Sequence, residues 1–338
     1  MITTIAFLNN PISASLAHAD FARRGIPLKN LALIMVRPWR PAWADQCAAA
    51  VIYTAKPSNQ VWEQRRFIGF YREAAKLIRD AIQTGKLEHI YTVNNDNLIA
   101  SHLLQVAPGA TADVTVVVEG LMNFQDIDRG NRQGWRWRIK PILARLLGLS
   151  YRQPTTHLSG AFEPEVDRVI SFAEAGLKAP PEKVECIPFP SAKPTAPANP
   201  KIALIPLTGL AQWMQPYRAR QLAIAFREWL EAQNFDEIIV KHHPHSDAGV
   251  IEELLPAHRV LNDPRSLEDM APDLTSGTIV GTCCTGLVTL KLMRPDLQCV
   301  DFGADFYQIH AYQGDTSVES LLRASGVNIV AMSAKNGD

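Results

Sequence analysis

No sign of charge dominates this chain: Lys and Arg total 34, and Asp and Glu total 34. That balance removes the electrostatic case for a nucleic-acid partner. Cysteine is scarce and scattered. Cys47, Cys186, Cys283, Cys284 and Cys299 show no CxxC spacing, which argues against a disulfide framework or a zinc site. A reducing, cytoplasmic compartment suits such a set. No run approaches the roughly 18 uncharged apolar residues of a membrane span. The start, Met1 to Pro11, lacks a basic n-region and a long apolar h-region, so it reads as a buried strand and not as a signal peptide. The phosphate loop GxxxxGK[ST] is also absent.

What is present is a globular balance, 47% apolar and 20% charged over 338 residues, enough for two domains. Short apolar strands alternate with helical patterns. Ile2–Leu8, Leu31–Val36, His89–Val93 and Val114–Val118 read as strands. Ile12–Arg23 and Val61–Lys86 read as helices, the second with Ile68, Tyr71, Ala75, Ile78 and Ile82 at steps of three or four. Residues 187–200 then hold five prolines in fourteen, a composition for a semi-rigid linker. The rhythm restarts beyond it. Strands fall at Lys201–Pro206, Glu237–Val240, Thr278–Val280 and Gln298–Val300, with helices at Tyr217–Gln233 and Thr285–Met293. Alternation of this kind predicts two doubly wound α/β domains, 1–186 and 201–338, facing a central cleft. Ligands of such folds sit at the C-terminal ends of strands.

The residues after each strand are therefore the candidates. Ile238-Ile239-Val240 runs into Lys241-His242-His243-Pro244-His245. Lys and imidazolium donors at a strand end suit a phosphate, and the proline stiffens the turn. Val116-Val117-Val118 is followed by Glu119-Gly120, a carboxylate placed to serve as a general base or to cap a turn. Ile279-Val280 leads into Thr282, Cys283, Cys284 and Thr285 at the start of a helix, a phosphate cradle or a tightly packed turn. Thr208 and Asp301 follow two further strands; Asp301 would bind a ribose hydroxyl or anchor a turn. Asn9, Asn10, Ser13, Asn94 and Asn95 form polar clusters suited to gripping a sugar or to forming turns. From Arg129 to Ala161 the chain carries Arg129, Arg132, Arg136, Arg138, Lys140, Arg145 and Arg152, and no acid. Such a segment reads as a solvated helix face or as a peripheral contact with an anionic membrane or glycan.

Three of these motifs together, Val118-Glu119-Gly120, His243-Pro244 and Cys284-Thr285, resemble the bacterial sialyltransferases of GT-B fold. The lipooligosaccharide sialyltransferase and polysialyltransferase group is the most similar. Those families carry an acid-acid-Gly motif in the first domain, then an H-P motif and an S-S/T motif in the second. The opening strand with Asn9-Asn10-Pro11-Ile12-Ser13 fits the same group. The resemblance implies an inverting glycosyltransferase that moves sialic acid or a related nonulosonate from a CMP-sugar to a glycan or glycolipid hydroxyl. It implies a domain 1–186 on the acceptor side and a domain 201–338 that binds the nucleotide sugar. Lys241, His243, Pro244, Thr282, Cys284, Thr285, Thr208 and Asp301 would surround the donor. His243 would stabilise the departing CMP, Glu119 would deprotonate the acceptor, and neither metal nor cofactor is needed. Two departures bear on this. Val118 stands where the first acid is usual, so Asp126 or Asp128 is an alternative base, and Cys284 stands where Ser is usual. A UDP-sugar transferase, a 2-epimerase and a non-catalytic binding protein are the other readings. The expected location is cytoplasmic, peripheral at the inner face of the plasma membrane.

Overall fold

The computed structural model describes residues 1–36, 39–53, 61–125, 135–154, 156–208, 214–242, 249–306 and 317–332, with backbone alone at 61–65 and 135–137. The chain divides into two compact units, Met1–Ile187 and Pro188–Asp338. In unit 1 the strands are β1 (Thr4–Leu8), β2 (Leu31–Met35), β3 (Ala49–Ile52), β4 (His89–Thr92), β5 (Asp113–Val117), β6 (Arg168–Ser171) and β7 (Val184–Cys186). They form one parallel sheet in the order β3-β2-β1-β4-β5-β6-β7. Every residue of β1 and β2 is buried, as a central parallel strand covered on both faces requires.

Helices α1 (Pro11–Arg24), α2 (Val61–Gln83), α3 (Leu98–Ala110) and α4 (Trp135–Leu146) connect these strands. Local chemistry sets the bounds of α1. The Asn10 Oδ1 accepts the Ser13 N–H at 2.9 Å, Pro11 takes the first turn, where no N–H is needed, and Gly25 at φ 68 stops the helix. One face buries Ile12, Leu16 and Phe21, each worth roughly 1.5–3 kcal/mol of apolar transfer. On the same face lies Asp20, fully buried. Its Oδ2 accepts the Tyr91 hydroxyl at 2.7 Å and a contact from Arg168. Burial alone would raise this carboxyl. Hydrogen bonds from Arg168, Tyr91 and Arg23 outweigh it and hold the group below its ordinary value.

Unit 2 repeats the design with β8 (Asn199–Pro206), β9 (Glu237–Lys241), β10 (Arg259–Val260), β11 (Ser276–Gly281), β12 (Gln298–Phe302) and β13 (Asn328–Val330). The order is β10-β9-β8-β11-β12-β13, all parallel. Its helices are α5 (Pro216–Ala232), α6 (Val250–Glu253), α7 (Leu267–Met270), α8 (Thr285–Met293) and α9 (Ser317–Ala324). Leu222, Phe226 and Leu230 of α5 pack with Val240, Val280, Val300 and Phe302 into the core of this unit. The Pro-rich segment runs along unit 2. Ala192 N–H donates to Met293 O, Thr195 N–H to Pro272 O and Asn199 N–H to Thr275 O, at 2.9, 2.9 and 2.7 Å. Its last residues, Asn199 and Pro200, open β8, where a strand start tolerates proline. Gly277 is obligatory at this point, since a Cβ there would lie 2.6 Å from Asn199 C and Pro200 N.

Several elements have no counterpart in the sequence reading. Helix α3 buries Leu98, Ile99, Leu103, Leu104 and Ala107 with almost no polar face, so it carries no helical period. Strands β3, β6, β7, β10 and β13 are only two to four residues long. Among the described residues no helix is long and apolar enough to cross a membrane.

Candidate functional site

The strand order of unit 1 reverses direction between β1 and β4. At that switch point the connections leave on opposite sides of the sheet and open a crevice beyond the strand ends. Asn9 and Asn10 follow β1, Asn94 and Asn95 follow β4, and Glu119 follows β5, so the topology brings together residues far apart in sequence. Asn9 Nδ2 donates to Glu119 Oε2 at 3.1 Å, and Asn10 Nδ2 donates to the Glu119 carbonyl at 2.6 Å. Glu119 N–H in turn donates to Asn123 Oδ1 at 3.0 Å. The residue is thus held at three points, one of them its carboxylate, and its side chain is half-buried.

Two acceptors in this crevice stand out. A carboxylate only accepts, so the Asn9 amide must turn its nitrogen toward Glu119, leaving Oδ1 on the other side. Asn9 Oδ1 and Asn95 Oδ1 are both buried and accept no hydrogen bond from the described residues. A buried unpaired acceptor costs about 1–3 kcal/mol, so each marks a place where a donor completes the structure. The loop 157–160 forms the floor: Asn95 N–H donates to Leu158 O at 2.8 Å. Gly160, at φ 77, lies so close that a Cβ would sit 2.8 Å from Asn95 Cβ. Neither Asn123 nor this loop follows an apolar strand in the way the other candidates do, and sequence reasoning missed both.

Other expected contacts of unit 1 belong to the scaffold. Ser13 is fully buried, accepts the N–H groups of Asn9 and Asn10 at 3.3 Å, and completes the cap of α1. Asn10 has both amide ends engaged. Asn94 Oδ1 accepts Asp96 N–H at 3.0 Å, the turn-forming alternative. Val118, at the position of the first acid in the motif, is fully buried and its N–H donates to Ile170 O at 3.0 Å. It extends β5 into the core, and Glu119 is the first residue to reach the rim. Asp126 and Asp128 lie outside the described residues.

Unit 2 has its own switch point, between β8 and β11. The loop 281–284 there makes a tight turn into α8, with Cys283 in the left-handed region at φ 48. Asp301, fully buried, accepts the Cys283 N–H at 3.1 Å through Oδ2. This bond gives Asp301 a turn-anchoring role. Thr208 hydroxyl donates to Thr282 O at 3.1 Å, joining the ends of β8 and β11 across the switch point. Lys241 is buried at the end of β9 and donates to Asp263 O at 2.6 Å; burial pushes its amine below the ordinary value. Its charge is directed at the backbone carbonyl of Asp263. Thr282 is buried, Thr285 half-buried. Burial pushes the Cys284 thiol up to about 12, so it is a neutral group at the start of α8. Gly286 keeps the first turn of α8 bare: a Cβ would meet Leu267 Cδ1 at 2.5 Å. The arrangement presents the positive end of α8 at the strand end. His243 and Pro244 lie outside the described residues; His242 is exposed, with Nε2 at 2.6 Å from Glu252 Oε1.

One further residue was missed. Glu268 of α7 accepts the Thr289 hydroxyl at 2.7 Å. Burial raises its carboxyl above the ordinary value, more than the Thr289 bond lowers it. No motif marks it, because its environment comes from α7 packing on α8. Among the described residues, no group of three or more His, Cys, Asp or Glu could hold a metal ion.

No family model matches the chain, and no curated protein matches it in sequence. In three dimensions it is similar to the glycosyltransferase of kitacinnamycin, with 13% identity over 99% of this chain and 87% of that one, TM-score 0.51. It is also similar to a Listeria monocytogenes protein assigned as a UDP-N-acetylglucosamine 2-epimerase, with 8% identity over 96% and 86%, TM-score 0.51. HepE from Anabaena, solved with UDP and glucose, shows 10% identity over 89% and 81%, TM-score 0.49. Neither the kitacinnamycin glycosyltransferase nor the assigned 2-epimerase is described as a CMP-sialic acid sialyltransferase, and this corrects the resemblance drawn from the motifs. Two-residue and three-residue motifs at strand ends recur wherever this topology needs polar turns, so their order carried fold and not donor. The likeness shows that the chain has the fold of GT-B glycosyltransferases and epimerases, with two doubly wound parallel-sheet α/β units.

Proposed function

We propose that this chain is a sugar-nucleotide enzyme that uses a UDP-activated sugar, and that it transfers the sugar to an acceptor hydroxyl. The observation that carries the reading is the Asn9–Glu119 pair at the switch point of unit 1, beside the buried Asn9 Oδ1 and Asn95 Oδ1. Two unpaired acceptors need donors, and sugar hydroxyls supply them. Glu119 then takes the proton from the attacking hydroxyl, a role general bases fill at about 10²–10⁴-fold in rate. Unit 2 holds the nucleotide at the loop 281–285, where the start of α8 faces the phosphates. His243, assigned from sequence, supplies a cationic donor to the leaving UDP. The uridine rests on the named likeness to a UDP-N-acetylglucosamine 2-epimerase.

Titration calorimetry with UDP, CMP, GDP and ADP tests the nucleotide. UDP is expected to bind most tightly; a preference for another base, or no binding at all, removes the reading. A 2-epimerase is the second reading, favoured by the same likeness. UDP-N-acetylglucosamine incubated with enzyme and no acceptor separates the two by NMR. A C2-epimerised product identifies the epimerase, and an unchanged sugar nucleotide supports transfer.

A further inference from the structure

Helix α4 carries an apolar stripe on its outer side. Ile139, Ile142, Leu143 and Leu146 are 44, 62, 40 and 71% exposed, four of the ten large hydrophobics exposed among the described residues. Their spacing, i, i+3, i+4 and i+7, gathers them within about 100° of arc. Ala144 and Leu147 face the protein instead, at 0 and 6% exposure. The helix therefore has two apolar faces, and only one is covered.

Charge decides what covers the other. Arg138 and Arg145, both exposed, lie about 100° round the helix from the centre of the stripe. The segment 129–161 has seven basic residues and no acid, within a chain of zero net charge. Two of the seven are paired inside unit 1: Lys140 with Asp96, and Arg152 with Glu163 and Glu165. A second copy docked antiparallel on this face by a two-fold axis would set Arg138 and Arg145 on the same side as their own copies, which is repulsive. An anionic bilayer has the opposite sign and an apolar interior a few ångströms deeper. A helix of 12 residues is about 18 Å long, too short to span and suited to lying in the plane of the headgroups.

We propose that α4 docks unit 1 on an anionic lipid bilayer, with Ile139, Ile142, Leu143 and Leu146 inserted and Arg138 and Arg145 at the phosphates. The Lys140 bond to Asp96 O at 3.0 Å ties the docked helix to the turn after β4, so the membrane face lies beside the crevice end of the first sheet. The inference does not depend on the nucleotide.

The test is flotation of the full chain with phosphatidylcholine vesicles, with and without phosphatidylglycerol. The chain is expected to float with the anionic vesicles and to be released by salt. The double variant I142S/L146S is expected to lower partitioning by about tenfold or more, from the loss of inserted apolar surface. R138Q/R145Q is expected to lower it by about twenty-five-fold, at about fivefold per charge, and to flatten the salt dependence. Ile224→Ser, an exposed apolar residue of α5, is expected to leave partitioning unchanged. Absence of binding to anionic vesicles overturns the proposal. So does binding that survives I142S/L146S, or that falls equally with Ile224→Ser. A wild-type dimer in light scattering that I142S/L146S converts to monomer also overturns it, since a second copy then covers the stripe. Circular dichroism checks the fold of each variant. Calorimetry with UDP on I142S/L146S is expected to match the wild type, so the lipid and nucleotide readings fail separately.

Discussion

Both units wind their first six strands in the order 3-2-1-4-5-6, yet they use the residues at the switch point differently. In unit 1 the side chains after the strands keep capacity for a ligand: Asn9 and Asn95 hold buried acceptors without donors, and Asn9 aims Glu119. In unit 2 the corresponding side chains are turned on the protein itself. Asp301 anchors Cys283, Thr208 bridges to Thr282, and Lys241 reaches Asp263 O. Shared topology places polar residues at the same edge but does not decide their task. Among the described residues, unit 1 keeps buried acceptors open at its switch point, whereas unit 2 uses its side chains in shaping the turn into α8.

The largest expected effect breaks this division if it is wrong. Glu119→Gln keeps the shape and the acceptor oxygen but cannot take a proton. Turnover is expected to fall by about 10²–10⁴-fold, while UDP affinity, read by calorimetry, stays at the wild-type value. A matching loss of UDP affinity would mean that the carboxylate serves the nucleotide and that the units do not divide the work. The next effect falls on unit 2. Gly286→Ala places a Cβ 2.5 Å from Leu267 Cδ1. Overpacking of this kind costs about 1–3 kcal/mol. The first turn of α8 must shift, and UDP affinity is expected to drop by roughly thirtyfold. Leu267→Ala in the same chain makes room and is expected to restore most of it. If the double variant binds no better than Gly286→Ala, the loop is not shaped by α7.

What the sequence shows of this division follows from where information is stored. Glu119, Asn9 and Asn95 are legible because each directly follows an apolar run, and a strand end in an open sheet is a ligand edge. Helix α8 is legible to the residue, since small polar residues give way to an apolar run at Thr285. The roles of Asp301 and Lys241 are not legible. Each depends on a partner 18 or 22 residues away that only the fold supplies. Glu268 and Asn123 are silent for the same reason. Helix α3 is hidden because apolar residues run through most of its length, on the half-buried side as well as the buried one, and blur its period. The donor was misread because Val-Glu-Gly and Cys-Thr sit at strand ends of an open α/β sheet, where polar turns recur whatever the ligand. His243 carried the most weight in that reading and lies outside the described residues.

The smallest expected effect sets the two units against each other by pH. In unit 1, burial holds His18, His89 and His102 below their ordinary value, His102 at about 4. His102 Nδ1 accepts the Ser150 N–H at 3.1 Å, a bond open only to the neutral ring. Its folded pKa lies below the unfolded value of 6.5. The unfolded chain therefore binds more protons between these values, and unit 1 loses stability as pH falls from about 6.5 toward 4. With the ring half-buried, about 1–2 kcal/mol is expected from this site. Glu268 in unit 2 has the opposite sign. Its folded pKa is raised above 4.5, so the folded state binds the extra proton, and unit 2 gains stability as pH falls toward 4.5. Hydrogen exchange at pH 7 and pH 5, each corrected for intrinsic rates, reads the two units separately. Protection is expected to fall in peptides of α3 and rise in peptides of α7 and α8. His102→Gln is expected to flatten the first response and Glu268→Gln the second, each without touching the other. A parallel change in both units would show that these two groups do not set the pH response, and that the contrast drawn from their surroundings is wrong.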